Sequence, residues 1–233
     1  MVDMIKGLEE CGIPKSCCAE LAGKMESYIK EIVLFNSAYN LTNTSDRDEL
    51  VVRHIFDSLA AFPEIVKLCE SLTNERSVVD KTFVIADIGS GGGLPGIPLA
   101  AAFLLSAQEN KVLNNFRFEL VERMEKRCAF LENCAAILGL KNITVVNSEA
   151  ERVPEKNYDL ITFRAFRPLD KKMTKTLMRI VQNGGYLCAY KAKLENIKEE
   201  MDAITNLIPD YKISALTVPG LDNSERNLVI VKK

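Results

Sequence analysis

A short β-branched run, Thr82 to Ile88 (TFVIADI), stops at a segment of unusual backbone freedom, GSGGGLPGIPLA. Glycines stand at 89, 91, 92, 93 and 96, and prolines at 95 and 98. Glycine loses more chain entropy on folding than any other residue, so such density is tolerated only where backbone must turn sharply or lie against something. The apolar residues before it read as a buried strand. Pro95 suits the start of a helix, where its missing N–H has no helical partner. Strand, glycine turn and helix in this order point to an open α/β sheet, in which ligands bind beyond the carboxyl ends of the strands. Free N–H groups at the helix start favour an anionic group there.

The chain beyond continues the alternation. FRFELVE, NITVVN, YDLITFRA and YLCAYKA read as further strands. Helices separate them: Met124 to Leu138 closed by Gly139, Asp170 to about Val181 ending at Gly184–Gly185, and Glu195 to Leu207 after the last of the four. YKISALTV and NLVIVKK have a short loop between them and should pair antiparallel. The expected fold is therefore Rossmann-like α/β, a mostly parallel sheet with an antiparallel C-terminal strand.

Upstream, Leu21, Met25, Tyr28, Ile32 and Phe35 recur at steps of three and four, which is one face of a helix from Lys15 to Asn40. SDRDELVVRHIFDSLAAF restarts a helix with Ser45 or Asp46 as N-cap, and Pro63 ends it or begins the next. Polar Glu70 to Lys81 reads as a connection. Residues 1–70 are thus a helical segment packed on a core at 71–233, together one compact domain.

With 233 residues, 47% of them hydrophobic, the chain can bury a substantial core. No apolar run approaches the ~20 residues that span a bilayer, and the N-terminus lacks the pattern of a secretory signal. Seven cysteines lack zinc-like spacing. A cytoplasmic monomer with reduced thiols, no metal and no membrane partner is expected. The formal net charge is −2, so any basic surface has to be local.

Two ligand motifs overlap in the loop. Gly91, Gly93 and Gly96 fit the dinucleotide pattern GxGxxG, whereas Asp87, Gly89, Gly91 and Gly93 fit the Asp-x-Gly-x-Gly-x-Gly pattern of S-adenosylmethionine (AdoMet) methyltransferases. Glu122 closes the second strand, where a ribose-binding carboxylate belongs, but further from the loop than the ~20 residues usual for dinucleotide binders. Asp87 also suits a ligand carrying an amino group. Adenine would rest on NSEAERV, after the third strand. AdoMet fits better than NAD, and the plain alternative for Glu122 is a solvated acid beside Arg123.

The chain resembles one family through nearly its whole length, the bacterial RsmG (GidB) class I methyltransferases. Tyr39, Asn40, Leu41 and Thr42 match its Tyr-Asn-Leu-Thr, and Arg53, His54, Asp57 and Ser58 its Arg-His-x-x-Asp-Ser. DIGSGGGLPGIPLA matches its loop, Arg164 to Phe166 its Arg-Ala-Phe, and AYKAK through Lys191 its Leu-Lys-Gly segment, with Ala192 in place of the glycine. ERNLVIVKK matches the ending, with Asn227 where histidine is common. The resemblance implies transfer of a methyl group from AdoMet to N7 of a guanine (guanine 527) in 16S ribosomal RNA, free or in a small-subunit precursor. It also implies AdoMet contacts at Gly89, Leu94, Glu122, Arg123, Met124, Ala150, Glu151 and Arg164.

The acceptor end agrees with that chemistry. Methylating an exocyclic amine calls for an Asn/Asp-Pro-Pro-aromatic turn after the fourth strand, and methylating carbon-5 of cytosine calls for a cysteine. TFRAFRPLD offers neither. Guanine N7 has an in-plane lone pair and no proton to remove, so positioning should dominate. Arg164, Lys191 and His54 are the candidate catalytic residues, with His54 equally readable as an interface residue bonded to an acid; Asn40 is a further residue that could face the cleft. Arg53, Arg167, Lys171, Lys172 and Lys175 are the candidate RNA contacts, the last three on a helix whose bland reading is a solvated face. A small-molecule methyltransferase, an NAD-dependent oxidoreductase and a non-catalytic RNA-binding factor are the competing readings.

Overall fold

The computed structural model describes residues 1–76, 82–156, 158–165 and 168–233. Four helical pieces come first: α1 (Met4–Glu10), α2 (Lys15–Tyr39), a composite α3 and α4 (Phe62–Arg76). In α3 an α-turn (Arg47–Leu50) runs through a π-helical stretch (Val51–Phe56) into a closing turn (Asp57–Leu59). Asp46 caps it by accepting the Glu49 N–H. α4 continues to Arg76, so most of the polar Glu70–Lys81 stretch is helix rather than connection. Its polar residues form the outer face of an amphipathic helix whose Cys69 and Leu72 are buried. Residues 77–81 lie outside the described residues.

Then follow β1 (Phe83–Ile88), α5 (Gly96–Ser106), β2 (Phe116–Glu122), α6 (Glu125–Ile137), β3 (Ile143–Asn147), β4 (Tyr158–Arg164), α7 (Lys171–Ile180), β5 (Val181–Lys191), α8 (Leu194–Asp202), β6 (Lys212–Ala215) and β7 (Asn227–Lys232). Among the described residues they build a seven-stranded sheet in the order β3-β2-β1-β4-β5-β7-β6. β1 to β5 run parallel, while β7 pairs antiparallel with both β5 and β6. α7 ends earlier than Gly184–Gly185, because the chain enters β5 directly at Val181 and carries both glycines inside the strand. A Cβ on Gly185 would lie 2.7 Å from the Asp159 carbonyl oxygen, so the bulged pairing of β4 with β5 needs glycine there.

Alternation along β1 divides the core. Phe83 and Ile85 face the N-terminal helices and α5, in one cluster with Leu21, Met25, Phe56 and Leu99. Val84, Ala86 and Ile88 face the other side, with Met173, Leu177 and Ile197. Both faces of β1 are covered, which is why it reads as a continuous apolar run. The helical segment and the sheet thus share one apolar cluster. All seven cysteines are buried free thiols, and among the described residues no helix is long and apolar enough to cross a membrane.

The order reverses between β1 and β4, so the loops after these strands flank the switch point. Gly96 shows what the glycine loop requires: a Cβ there would lie 2.4 Å from Leu120 Cδ2 and 2.8 Å from Asp87 Oδ2. Gly96→Ala should therefore lose ~1–3 kcal/mol of stability by overpacking. Gly23→Ala, on the exposed side of α2 with nothing within 4 Å, should gain ~0.5–1 kcal/mol. Urea unfolding midpoints of the two variants check this opposition.

Candidate active site

The glycine loop is anchored from below by Asp87. This fully buried carboxylate accepts from Ser90 Oγ (2.7 Å) and the Gly96 N–H (3.0 Å), both through Oδ2. Burial pushes its pKa up to about 6, against the pull of those two bonds. The N–H groups of Gly89 and Ser90 donate to the Val121 carbonyl, tying the loop to β2. From the helical segment, Tyr28 donates its hydroxyl to the Gly92 carbonyl, and Leu41 lies 3.4 Å from where a Gly92 Cβ would sit. Asn36 organises that approach: its Oδ1 accepts from the Leu41 and Thr42 N–H groups and its Nδ2 donates to the Thr42 and Thr44 carbonyls. The Tyr-Asn-Leu-Thr motif is therefore a brace for the loop. Asn40 takes the left-handed C-cap position (φ 49°) and offers its carbonyl to Arg127.

A cleft of about 220 Å³ opens beside the loop. Gly89, Glu122, Arg123, Met124, Ala150 and Glu151 all line it, so six of the expected cofactor residues converge. Glu122 is 4% exposed; its Oε2 accepts from the Gly91 N–H (3.0 Å) and its Oε1 from the Met124 N–H (2.8 Å). Each oxygen keeps a lone pair free, so the carboxylate can accept two further hydroxyl donors. Gly91 (φ 58°) brings its backbone to this edge. The residues fit a nucleoside ribose.

Four expected contacts do not line this cleft: Gly91 stands at its edge with its N–H on Glu122, and the other three lie elsewhere. Asp87 turns inward beneath the loop, Leu94 is buried in the core, and Arg164 lies on the far side of the β4 terminus. Arg127, which sequence reasoning missed, does line it and holds the Tyr39–Asn40 turn through Nη2. Only its place one helical turn beyond Glu122 could have signalled it.

Ala165, left-handed at φ 49°, lines both this cleft and a larger one of about 960 Å³. Backbone in that region costs a non-glycine residue energy and concentrates at functional sites. The larger cleft is walled by α3, the ends of β4 and β5, and α8. Rare π-helical backbone also favours functional sites; here it carries Arg53 and His54. Arg164 donates through Nη1 to Asp57 Oδ2 (2.7 Å) and the Arg53 carbonyl (3.2 Å), and shares a 3.0 Å hydrogen bond between Nη2 and His54 Nδ1.

A guanidinium has no acceptor, so His54 Nδ1 must accept and its proton sits on Nε2. Burial, with the Arg164 charge adding to it, lowers the His54 pKa to about 4. His54 thus bonds to a cation, not to the expected acid, because Asp57 is occupied by two arginines: Arg226 Nε donates to its Oδ1 at 2.9 Å.

Lys191 lines the larger cleft but is paired with Glu200 (2.8 Å) and largely buried, so it is not a free phosphate ligand. Arg53 lines the cleft with its side chain exposed. Lys171, Lys172 and Lys175 are exposed on α7 and outside the cleft lining. Arg179, on the same helix, is tied to the Ala150 and Glu151 carbonyls. Phe166 and Arg167 lie outside the described residues. Among the described residues no three metal-ligating side chains converge.

Comparison with known proteins agrees with the geometry. The GidB family, described as rRNA small subunit methyltransferase G, matches residues 22–229. A Treponema denticola ribosomal RNA small subunit methyltransferase G is 40% identical over 99% of this chain and 93% of its own length. The Borrelia turicatae protein of the same name is 33% identical over 100% of both. Among solved structures, a SAM-dependent methyltransferase from Aquifex aeolicus (TM-score 0.51, 16% identity, 80% of this chain and 93% of that one) shares the fold. So does a putative S-adenosyl-L-methionine-dependent methyltransferase from Methanococcus maripaludis (TM-score 0.53, 15% identity, 88% and 91%). The expected AdoMet-dependent methyltransferase is borne out over the NAD alternative, and the chain belongs to the rRNA small subunit methyltransferase G (GidB) family.

Proposed function

We propose that this chain transfers a methyl group from AdoMet to N7 of a guanine in 16S ribosomal RNA, in the family's target position. The observation that carries the reading is the pair of clefts meeting at Ala165, one fitted to a nucleoside and the other lined, among the described residues, by Arg53, Arg164 and Arg226 and by no cysteine. When bound, AdoMet supplies an electrophilic methyl on a positively charged sulfur. Glu122 accepts the ribose hydroxyls, Gly89 and Gly91 let backbone approach the ligand, and Ala150 and Glu151 read the adenine edge. Asp87 acts beneath the loop by fixing Ser90 and Gly96.

On the acceptor side Arg164 has five N–H groups. Three are spent on Asp57, the Arg53 carbonyl and His54. Among the described residues the Nε–H and one Nη2–H have no partner and remain for the guanine at O6, because the single in-plane lone pair of N7 must face the methyl. N7 carries no proton, so the attack leaves nothing at that atom for a base to remove. His54, neutral and with its Nδ1 occupied, serves to orient Arg164. Lys171, Lys172 and Lys175, with Arg53 at the cleft, supply phosphate contacts.

Tritiated-methyl transfer to ribosomal RNA lacking the modification, followed by nucleoside mapping, tests the function; label in 7-methylguanosine is expected, and label in any other nucleoside contradicts it. Glu122→Ala should weaken S-adenosylhomocysteine binding by roughly 1–3 kcal/mol in calorimetry, and an unchanged affinity removes the ribose assignment. Charge reversal at Lys171 and Lys175 should weaken RNA binding and make it less dependent on salt, with cofactor affinity unmoved. Wild-type methylation by that double variant at physiological salt would leave α7 a solvated face.

A further inference from the structure

Arg226 stands just ahead of β7, far in sequence from Asp57 and Arg164, with which it lines the acceptor cleft. Its Nε donates to Asp57 Oδ1 (2.9 Å) and its Nη1 to the Glu225 carbonyl (2.8 Å). Among the described residues its Nη2 has no partner, although only 27% of the side chain is exposed. Asp57 therefore serves two guanidinium groups at once, since its Oδ2 takes Arg164. Formal charges of one aspartate, two arginines and a neutral His54 leave the cluster at plus one. The other acids near it are committed elsewhere or do not pair with it: Glu200 holds Lys191, Asp170 caps α7, Glu225 accepts the Leu194 N–H, and Glu199 is exposed on α8.

An uncompensated, mostly buried cation is costly unless a counter-charge arrives with the ligand. Here the cost is compounded, because methylation at N7 makes the base itself cationic in the same cleft. A phosphodiester brings the missing negative charge, and a guanidinium is its best-matched partner. We propose that Arg226 binds a backbone phosphate of the nucleotide being methylated through Nη2, while its Nε, through Asp57, holds Arg164 in register with the base. The inference rests on the reading of the chain as an RNA methyltransferase. It gives Arg226 two linked tasks, one electrostatic and one positional.

The test uses the full chain with Arg226→Gln and Arg226→Lys. Equilibrium binding of unmodified ribosomal RNA is measured across a salt series with S-adenosylhomocysteine present, alongside single-turnover methylation rates. Losing one phosphate contact to single-stranded RNA should make the slope of log affinity against log salt shallower by about 0.7 in Arg226→Gln. Its methylation rate should also fall, on the order of 10²-fold for a misplaced acceptor, with cofactor affinity unchanged. Arg226→Lys should restore the salt slope, because it restores the charge, but not the rate, because one ammonium cannot hold Asp57 and a phosphate in a fixed fork. A wild-type slope in a folded Arg226→Gln overturns the phosphate contact, and a wild-type rate overturns the positioning. If Arg226→Gln fails to fold, Arg226→Lys still decides: a wild-type rate there overturns the proposal. Failure of the unaltered protein to methylate ribosomal RNA would instead refute the parent reading.

Discussion

The bond between Asp57 and Arg164 joins the two parts of the chain at the point where chemistry is proposed. Asp57 belongs to the helical segment and Arg164 ends a central strand, so the 2.7 Å contact between them sets how the helices sit over the switch point. A buried carboxylate needs such pairing, because an unpartnered charge in that setting costs several kcal/mol. The same carboxylate reaches Arg226 at the entry to the final strand. Ser58, next in the helix, donates to the His54 carbonyl, and its own carbonyl accepts from Tyr190 on β5. Arg-His-x-x-Asp-Ser is thus a structural clamp with one face turned to the acceptor cleft.

A second clamp works on the cofactor side. Tyr28, Leu41 and Arg127 connect the helical segment to the glycine loop and to the first turn beyond β2, while Asp87 holds the loop from the core. Both clefts are therefore walled or braced by the N-terminal helices, which ties these helices to the sheet at both places. The left-handed Ala165 lies where the clefts meet.

Much of this was legible in the sequence because the signals are local. A continuous apolar run located β1, period-3.6 patterning located α2, and the N-cap expected at Ser45 or Asp46 falls on Asp46. Convergence of Gly89, Glu122 and Ala150 on one cleft follows from strand ends that must lie side by side in a parallel sheet. The misreadings share a different cause. Polar residues at 70–75 form the wetter face of α4, and Gly184–Gly185 serve a bulge inside β5 rather than a helix end. Direction of a side chain at a strand end depends on tertiary partners, so Asp87, Arg164 and Lys191 lay in the right region with the wrong neighbours. Arg127 and Arg226 were not singled out because little beyond their places after Glu122 and within ERNLVIVKK marks an arginine that will meet a distant carbonyl or carboxylate.

The central mechanistic claim is that this site positions and does not deprotonate. With its pKa lowered to about 4, His54 is already neutral throughout pH 6 to 9, so a flat pH profile alone would not separate a base from a bystander. The substitution does. Glutamine keeps an acceptor for Arg164 and removes the imidazole. Single-turnover methylation by His54→Gln under saturating RNA and AdoMet, compared with wild type across pH 6 to 9, is predicted to be flat in both and to differ only a few-fold. A loss on the order of 10²–10⁴-fold, the size expected for removing a general base, would contradict the account.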